Sequence, residues 1–420
     1  MRAKNLCVLA LGAGLAVAGG RPSAAATICV NPAGTGGCEA SIGAAVTRAT
    51  AGDTIEVAAG TYAEAVTIAK SLSLIGADPT TTIINARGLG AGIYVDGIDP
   101  PHLSGVVISG FTVENSNYEG ILVANASSVT VWNNRVLDND RKVNITKGTC
   151  PGLSVNETSE GDDCGEGIHL MGADHSIVAR NLVHGNSGGI LLSDDTAAAH
   201  DNLILDNNVN NNAIDCGITL ASHPPAAITG ASKSLGVFLN TVAGNVSTKN
   251  GLNLPGAGAG VGLFASVPGA ATYSNVVINN TLTDNGLPGV TMHSHTPGQV
   301  LTNNVIIGNT ISGNAADTED AATSGPTGIN VYGVSPASGT IITGNVISDE
   351  TIDLAVKTPA TVAAHLNSFL GTNTGVANLG TGLVDAAQNW WGCAGGPGAS
   401  GCSSASGSKL VTAPALTAAP

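Results

Sequence analysis

Carboxylates and histidines gather in three short segments between Asp162 and His223 of the 420-residue chain. Together the segments hold Asp162, Asp163, Glu166, His169, Asp194, Asp195, Asp215 and His223. Carboxylates placed a few ångströms apart raise one another's pKa, so that one stays protonated as a general acid while another is ionised. Glycoside hydrolysis uses two carboxyl groups in these two roles. The segments therefore predict acid–base chemistry of the kind that cleaves a glycan.

Expected roles follow from residue type and position. The expected catalytic residues are Asp194, Asp195, Asp215, Glu166 and His169. The expected substrate-binding residues are His223, Asp163, His293, Phe264 and Tyr332. Simpler interpretations exist, because adjacent aspartates often form solvated turns and lone aromatic residues need not stack on sugars. His293 and His295 have the spacing of a two-residue metal clamp, but this pattern alone is weak, and no metal is expected.

A repeated phrase must position these residues. It pairs a Gly-Ile-x-Leu-like segment with an Asn-x-(Ile/Val/Leu)-x-x-Asn segment, and its first half begins at Gly120, Gly167, Gly189, Gly217, Gly260, Gly289 and Gly328. Apolar alternation predicts strands, while Gly and Asn accept the left-handed backbone angles of tight bends. A period of roughly 20–25 residues indicates a solenoid with one rung per repeat. The asparagines can then stack as a ladder between rungs.

The repeat also predicts which side chains share a face. The first and third residues after each Gly should point into the core, and the second and fourth should face solvent. Rungs about 4.8 Å apart then place His169 beside Leu191 and Thr219. The next outward row should read Met171, Ser193, Ala221, Phe264, His293 and Tyr332. This register brings acids and histidines that are distant in the sequence onto one face.

Four insertions interrupt the repeat, at residues 140–165, 222–234, 248–259 and 315–327. Three of them directly precede a Gly-Ile-x-Leu segment, so they should project from one edge of the solenoid. Loops gathered on one face of a rigid scaffold commonly build a site. We therefore expect a walled acidic patch over the rungs from Gly167 to His223.

The N-terminal residues indicate an exported chain. Residues 1–26 read as a signal peptide, with Arg2 and Lys4, then an apolar run, then three alanines before a cleavage site near Thr27. We expect a secreted or periplasmic location, where disulfides form. Proximity in the sequence suggests the pairs Cys29–Cys38, Cys150–Cys164 and Cys393–Cys402, and it leaves Cys216 as a buried thiol.

The net charge of −15, from 15 Lys and Arg against 30 Asp and Glu, argues against nucleic acid and anionic membranes as partners. After the signal peptide, no segment is apolar for long enough to span a bilayer. The same charge would repel a polyuronate unless calcium or a cationic patch intervened. The expected partner is a polysaccharide or oligosaccharide, bound by a monomer.

Two segments carry a resemblance to a known superfamily. Residues 51–77, AGDTIEVAAGTYAEAVTIAKSLSLIGA, resemble the first rungs of secreted right-handed parallel β-helix proteins of the pectin-lyase-like superfamily, and NWWGCAGGP at residues 389–397 is similar to a closing motif common in them. The resemblance implies an all-β chain, a single-stranded right-handed parallel β-helix over residues 53–400. We expect an N-terminal cap at residues 27–52 with a short helix within residues 39–50, and a C-terminal tail at 401–420.

The superfamily implies several chemistries, since it contains lyases, hydrolases, epimerases, esterases, a copper-handling protein and adhesins. Asp194 and Asp195 resemble the adjacent aspartates of polygalacturonase-like hydrolases, although that family's Gly-His-Gly and Arg-x-Lys motifs have no match here. A glycoside hydrolase without a cofactor is the favoured prediction. The first alternative is a polysaccharide lyase or uronan C5-epimerase that uses calcium, with His169 as base. The second is a non-catalytic protein that binds glycans or handles a metal.

Overall fold

The computed structural model describes residues 25–142, 165–223, 236–266 and 268–420. In these residues the regular structure is almost entirely parallel β-strand, arranged as three long sheets and one short sheet. The chain passes from sheet 1 to sheet 2 to sheet 3 and then returns to sheet 1, so each circuit forms one rung of a β-helix. The all-β prediction is confirmed.

The described strands of each sheet have the following bounds. Sheet 1 contains Thr27–Val30, Thr54–Val57, Ser73–Gly76, Val107–Ser109, Thr130–Trp132, Ile177–Ala179, Leu203–Leu205, Thr241–Ala243, Val276–Ile278, Val305–Ile307, Ile341–Thr343, Val362–His365, Val384–Asp385 and Leu410–Val411. Sheet 2 contains Gly60–Tyr62, Thr82–Asn85, Thr112–Glu114, Arg135–Leu137, Leu182–His184, Asn208–Asn210, Val246–Thr248, Thr281–Thr283, Thr310–Ser312, Val346–Ser348 and Ser368–Phe369. Sheet 3 contains Val66–Ile68, Ile93–Asp96, Ile121–Ala124, Glu166–Met171, Gly188–Ser193, Ile218–Ser222, Val261–Ala265, Val290–Ser294, Thr327–Gly333, Ile352–Lys357, Thr374–Asn378 and Ser404–Gly407. Sheet 4 contains Ala199–His200, Val237–Phe238 and Thr272–Tyr273.

Alternate residues of the strands fill one continuous core. In sheet 3, Ile168 and Leu170 belong to it, as do Ile190 and Leu192 on the next rung. The strand pairing places His169 opposite Leu191 and Leu191 opposite Thr219. It also aligns the outward row of Met171, Ser193, Ala221, Phe264, His293 and Tyr332. The predicted register of the repeat is therefore confirmed.

Buried asparagines stack along the corners between the sheets, as predicted. Asn207 donates from its backbone and side-chain nitrogens to Oδ1 of Asn245, and Asn245 donates in the same way to Asn280. The Asn245 side chain also donates to the carbonyl oxygen of Ile204 on the preceding rung. Asp206, the residue before one ladder position, takes a left-handed φ of 53°. Each net hydrogen bond contributes about 1 kcal/mol, so the ladders hold these tight corners in register.

One short helix, Ile42–Arg48, lies near the N-terminus. Ser41 Oγ accepts from the Ala44 nitrogen, and the Glu64 carboxylate accepts from the first two helical nitrogens. At the other end Lys70 Nζ donates to the carbonyl oxygen of Ala49. An anion at the N-terminus and a cation at the C-terminus both stabilise a helix dipole. The helix packs on the first strands of sheets 1 and 3, and its role as an end cap stays a prediction.

The sheets extend past the predicted bounds of the β-helix. Thr27–Val30 pairs with Thr54–Val57 inside the expected cap, and Ser404–Gly407 and Leu410–Val411 join sheets 3 and 1 inside the expected tail. The proposed signal peptide lies almost wholly outside the described residues. Among the described residues, none of the helices combines the length and the hydropathy that a transmembrane span needs.

The described cysteines follow the predicted pattern. Cys29 pairs with Cys38, and Cys393 pairs with Cys402. Cys216 is a free thiol and is buried. Cys150 and Cys164 lie outside the described residues, so their pairing stays a prediction.

Candidate functional site

A cleft of about 220 Å³ lies over three neighbouring strands of sheet 3, Ile218–Ser222, Val261–Ala265 and Val290–Ser294. Its walls include residues 256–258 and the acidic residues of segment 317–320. The lining side chains that could take part in catalysis or ligand binding are Asp215, Cys216, His223, Phe264, His293, His295, Asp317, Glu319 and Asp320. Both wall segments belong to predicted insertions, at 248–259 and 315–327. Two of the predicted insertions therefore line the cleft, and that the cleft is the functional site stays a prediction.

His293 lies at the centre of a carboxylate and imidazole network. Its Nε2 lies 3.0 Å from Oδ2 of Asp317, and its Nδ1 lies 3.1 Å from Oδ2 of Asp320. The same Asp320 oxygen lies 3.0 Å from Nε2 of His295. Asn330 donates to Oδ2 of Asp317 at 2.7 Å. A ring with a carboxylate at each nitrogen is held as an imidazolium, since both nitrogens must then donate.

The acidic loop is shaped by its own first aspartate. The Asp317 carboxylate accepts from the backbone nitrogens of Glu319, Asp320 and Ala321. Thr323 Oγ1 accepts from the Asp317 nitrogen and so closes the loop at its base. An aspartate side chain that binds nitrogens two to four residues ahead is a common turn-forming device. The loop is therefore preorganised to place Asp320 against the histidines.

Charge pairing sets the protonation states of this network. Burial by itself would lower the pKa of His293, but hydrogen bonds and charge from Asp317 and Asp320 outweigh it and raise the pKa. Burial would raise the pKa of Asp317 and Asp320, yet the histidines hold both pKa values below their ordinary range. The pairing therefore favours ionised aspartates around a protonated His293.

A second network lies behind His223 at the other side of the cleft. Oδ1 of Asp195 lies 3.4 Å from Nδ1 of His223, and Ser193 Oγ donates to Oδ2 of Asp195 at 2.6 Å. Asp194 accepts from the backbone nitrogen of His223 at 2.8 Å and from Ser222 Oγ at 2.9 Å. Ser193 Oγ also lies 2.7 Å from Nε2 of His169. Two adjacent aspartates thus hold the backbone and the ring of one histidine.

The two aspartates differ in their protonation. Burial is the largest influence on Asp194 and raises its pKa to about 6. Burial acts on Asp195 too, but the charge and hydrogen bond of His223 and the Ser193 hydroxyl outweigh it and lower the pKa of Asp195. One carboxyl is therefore partly protonated near neutral pH while its neighbour is ionised. This split is the one expected of an acid and base pair.

Comparison with known proteins identifies the fold. A family model described as "Right handed beta helix region" matches residues 91–263. Pectate lyase Pel9A superposes with a TM-score of 0.51 at 15% identity, over 81% of this chain and 79% of that chain. Dettilon tailspike protein (gp208) gives 0.54 at 12% identity, over 88% and 63%. The chain therefore folds as a right-handed β-helix. No curated protein matches its sequence.

The likeness to these structures establishes the fold and leaves the activity open, because identities are low and this fold hosts many chemistries. An alginate lyase from Paenibacillus sp. str. FPU-7 also matches, with a TM-score of 0.48 at 15% identity over 78% of this β-helix and 97% of that chain. The function of the β-helix must therefore be argued from its own cleft.

The β-helix places the predicted site residues in three groups. Asp215, His223, Phe264 and His293 line the cleft. Tyr332 packs beside it, 5.8 Å from His293 and 6.2 Å from His295 between ring centroids. Glu166, His169, Asp194 and Asp195 are at most 3% exposed and are not among the described lining residues. Asp163 lies outside the described residues.

One expectation about the outward face was wrong. Outward residues were expected to face solvent, yet His169, Met171, Ser193 and Thr219 are all buried. In the described structure these side chains pack on one another and bond to neighbouring polar groups, as Ser193 does to His169 and Asp195. The exposed part of the site therefore begins only at the rung of strand Ile218–Ser222 and extends from there to strand Val290–Ser294.

Sequence reasoning missed Asp317, Glu319 and Asp320 as site residues. A signal for them was present, because the insertion at 315–327 carries three acids within four residues and precedes a Gly-Ile-x-Leu-like strand. The pattern of insertions predicts that residues 315–327 form a wall of the site, but it assigns no catalytic or binding role to their acidic side chains. The partner histidines lie more than 20 residues earlier, so only the stacking of rungs brings the groups together.

Three groups of side chains in the described structure could hold a metal ion by proximity. His293, His295 and Asp320 form one group in the cleft, and Glu119, Glu166 and His169 form a buried one. His175, His200 and Asp201 form the third, on the surface. In the cleft both nitrogens of His293 already face carboxylates. Binding a metal there would require the loss of a proton and of an ion pair, which disfavours it.

Proposed function

We propose that this protein is an extracytoplasmic enzyme that hydrolyses a glycan in the cleft over sheet 3. One observation carries the proposal: the cleft is lined by the rings of Phe264 and His293, 5.5 Å apart, together with the carboxyl groups of Asp215, Asp317 and Asp320. Aromatic surface flanked by a few polar groups is typical of small-ligand sites. Carboxyl and imidazole groups beside such a surface suit general acid and base chemistry on a bound sugar. The two disulfides fit a location outside the cytoplasm.

The charge of the cleft supports a neutral sugar as substrate. Four carboxylates, those of Asp215, Asp317, Glu319 and Asp320, line it, and the lining residues that the structure describes include neither Lys nor Arg. A uronate bound there would meet like charges at short range, which disfavours binding. A neutral polysaccharide or oligosaccharide has no such cost. Hydrolysis of a neutral glycan is therefore our first choice over elimination on a uronan.

We assign roles by access to the cleft. Asp215 and His223 line it and are proposed to contact the reacting sugar as acid and base. Asp195 and Asp194 are positioning residues in this scheme, because they hold the ring and backbone of His223. His293 is locked between two carboxylates and is proposed to fix the loop and to present a flat surface. Glu166 and His169 remain predicted catalytic residues. His169 contacts Ser193 of the Asp195 network, and Glu166 lies within 4.8 Å of His169.

The alternative is elimination or C5-epimerisation of a uronan. Pectate lyase Pel9A, by its name, acts on pectate and shares the fold. In that case the cleft carboxylates would have to hold calcium, for which oxygen ligands are suited, and calcium would neutralise the substrate. This alternative therefore requires a metal, whereas hydrolysis does not.

A substrate screen tests the proposal. The protein is incubated with neutral and uronic polysaccharides, and new reducing ends and ultraviolet absorbance are both recorded. Hydrolysis predicts reducing ends without the absorbance of an unsaturated product, on a neutral glycan and in the presence of a chelator. Absorbance that appears only with calcium on a uronan would favour the lyase. Binding without turnover on every glycan would reject an enzyme.

A further inference from the structure

One asparagine ladder ends at an acid. Along the corner between sheets 2 and 3, Asn285 donates to Oδ1 of Asn314 from its backbone and side-chain nitrogens. At the next rung Glu350 takes the place of an asparagine, and its Oε1 accepts both donors of Asn314 at 3.0 and 3.1 Å. An asparagine there would offer an amide that donates onward, whereas an ionised carboxylate offers only acceptors. Oε2 of Glu350 is therefore left over.

Three buried oxygen atoms near this point lack a hydrogen-bond partner among the described residues: Glu350 Oε2, Asp353 Oδ2 and Asn373 Oδ1. Asn373 ties the three residues together, since its Nδ2 donates to Oδ1 of Asp353 at 2.6 Å and to the backbone oxygen of Glu350 at 3.0 Å. Asp353 is fully buried and Glu350 is 7% exposed. A buried acceptor without a partner calls for an explanation, and a bound water or ion is one of them.

Glu350 and Asn373 open on a cavity of about 530 Å³ whose other polar groups are also oxygens. Besides these two, its lining residues are Asp349, Thr351, Leu370, Gly371, Thr372, Thr374 and Ser404. The described lining contains neither a sulfur nor an imidazole nitrogen. Oxygen-only ligand sets favour hard cations, and an irregular set of carboxylate, amide and hydroxyl oxygens suits calcium better than magnesium, which demands near-octahedral geometry.

We propose that Glu350, Asp353 and Asn373 form a calcium-binding site at the C-terminal end of the β-helix, separate from the cleft. Each residue would supply the oxygen that has no partner, and waters in the cavity would complete the coordination. Glu350 and Asp353 lie on either side of Ile352, the first residue of strand Ile352–Lys357, and Asn373 directly precedes the neighbouring strand Thr374–Asn378. The ion would therefore bridge two rungs. The site would hold the last rungs of the solenoid together where an asparagine ladder stops.

Electrostatics agrees with the geometry. Without a cation, burial raises the pKa of Glu350 to about 7 and that of Asp353 to about 9, and each acid lies in a field of other carboxylates. Two buried acids that resist ionisation gain most from a divalent cation, which removes the cost of burying their charge. Protons compete with calcium for the two carboxyl groups. An experiment must therefore distinguish a calcium ion held by two ionised acids from two protonated acids without an ion.

The experiment measures calcium binding by isothermal titration calorimetry and the calcium-dependent shift in melting temperature, on the full chain at about pH 8, where competition from protons is reduced. The variants are Glu350→Gln and Asp353→Asn. Asp206→Asn, at an exposed carboxylate, is the matched control. The double variant Asp317→Asn with Asp320→Asn removes two of the four carboxylates that line the cleft. Glu350→Gln keeps the acceptor for Asn314, so it should fold.

The site predicts that the wild-type protein binds calcium and melts at a higher temperature with calcium than with a chelator. Glu350→Gln and Asp353→Asn should each weaken binding at least about tenfold and remove the shift, while the control and the cleft variant keep both. Wild-type protein without calcium binding, binding that survives in Glu350→Gln and Asp353→Asn, or binding lost only in the cleft variant would each overturn the proposal. None of these outcomes depends on the proposed glycan hydrolysis.

Discussion

Oδ2 of Asp317 lies 3.0 Å from Nε2 of His293, although the two residues come from an insertion and from a strand on different rungs. The contact fixes an acidic loop over the strands of sheet 3 and gives the cleft its second wall. His293 is 4% exposed, so the pair is shielded from solvent. Shielding strengthens the attraction and makes the loss of either partner costly.

Replacing Asp317 by Asn should destabilise the fold in a pH-dependent way. The raised pKa of His293 favours folding fully below its ordinary value of 6.5, and this contribution is lost as the pH rises through the raised pKa. The lowered pKa of Asp317 favours folding above 3.8 and is lost at lower pH. Urea unfolding should therefore show a loss of about 2 kcal/mol near pH 5 and less at high pH. A pH-independent loss would contradict the pairing, and Asp206→Asn should change little.

Replacing Asp194 by Asn should have the opposite dependence on pH. The pKa of Asp194 is raised from 3.8 to about 6, so the wild-type protein loses stability as the pH rises through this interval. Asn removes the charge and keeps an acceptor for the His223 nitrogen. The variant should gain roughly 3 kcal/mol relative to wild type between about pH 3.5 and 7, measured by urea unfolding. If the difference in free energy of unfolding between the variant and the wild type stayed the same across this pH range, the pKa of Asp194 would not be raised by folding.

Replacing Asp195 by Asn should reduce turnover through His223. The carboxylate lies 3.4 Å from Nδ1 of His223, and an amide there no longer fixes the ring and its protonation. We expect kcat to fall by about 100-fold or more, with little change in KM and with a shifted pH profile. A rise in KM, or a fall in kcat, with an unchanged pH profile would point to a structural role alone. Asp201→Asn, at an exposed carboxylate beside half-buried His200, is the control.

Replacing Phe264 by Ala should weaken substrate binding. Its ring lies 5.5 Å from that of His293 on the cleft floor, and stacking contacts of aromatic rings contribute about 0.5–1.5 kcal/mol. KM should rise roughly two- to tenfold, with a smaller change in kcat. Phe238→Ala is the matched control, because Phe238 stacks on His200 and Tyr273 in sheet 4. Equal effects of the two variants would remove Phe264 from the binding site.

The repeat was sufficient to predict the fold and the register of sheet 3. Phe264 pairs with His293, and His293 pairs with Tyr332. This register follows from the alternation of core and outward residues along each strand, because a shift of the pairing by one residue would turn the core side chains outward. Corner asparagines were predictable for the same reason, because only a few residues accept the backbone angles there. In a solenoid, a local sequence pattern that predicts one rung therefore predicts the many rungs that repeat it.

The site was harder to predict because it depends on loops that do not repeat. Asp320 reaches His293 and His295 only through the shape that Asp317 imposes on its own loop. The burial of His169 and Asp195 likewise depends on what covers the outward face, which alternation alone does not specify. Asp194 and Asp195 were predicted to be catalytic, and that role stays a prediction. In the described structure Asp215 and His223 line the cleft, and the two aspartates are not among its lining residues.

The most direct test of the account compares wild type with Asp215→Asn on the neutral glycan that the screen selects, with reducing ends and ultraviolet absorbance recorded together. The account predicts reducing ends without absorbance for the wild type, and at least about a 100-fold lower rate for Asp215→Asn at an unchanged melting temperature. Full activity in a folded Asp215→Asn variant, or an unsaturated product from the wild type, would contradict hydrolysis in this cleft.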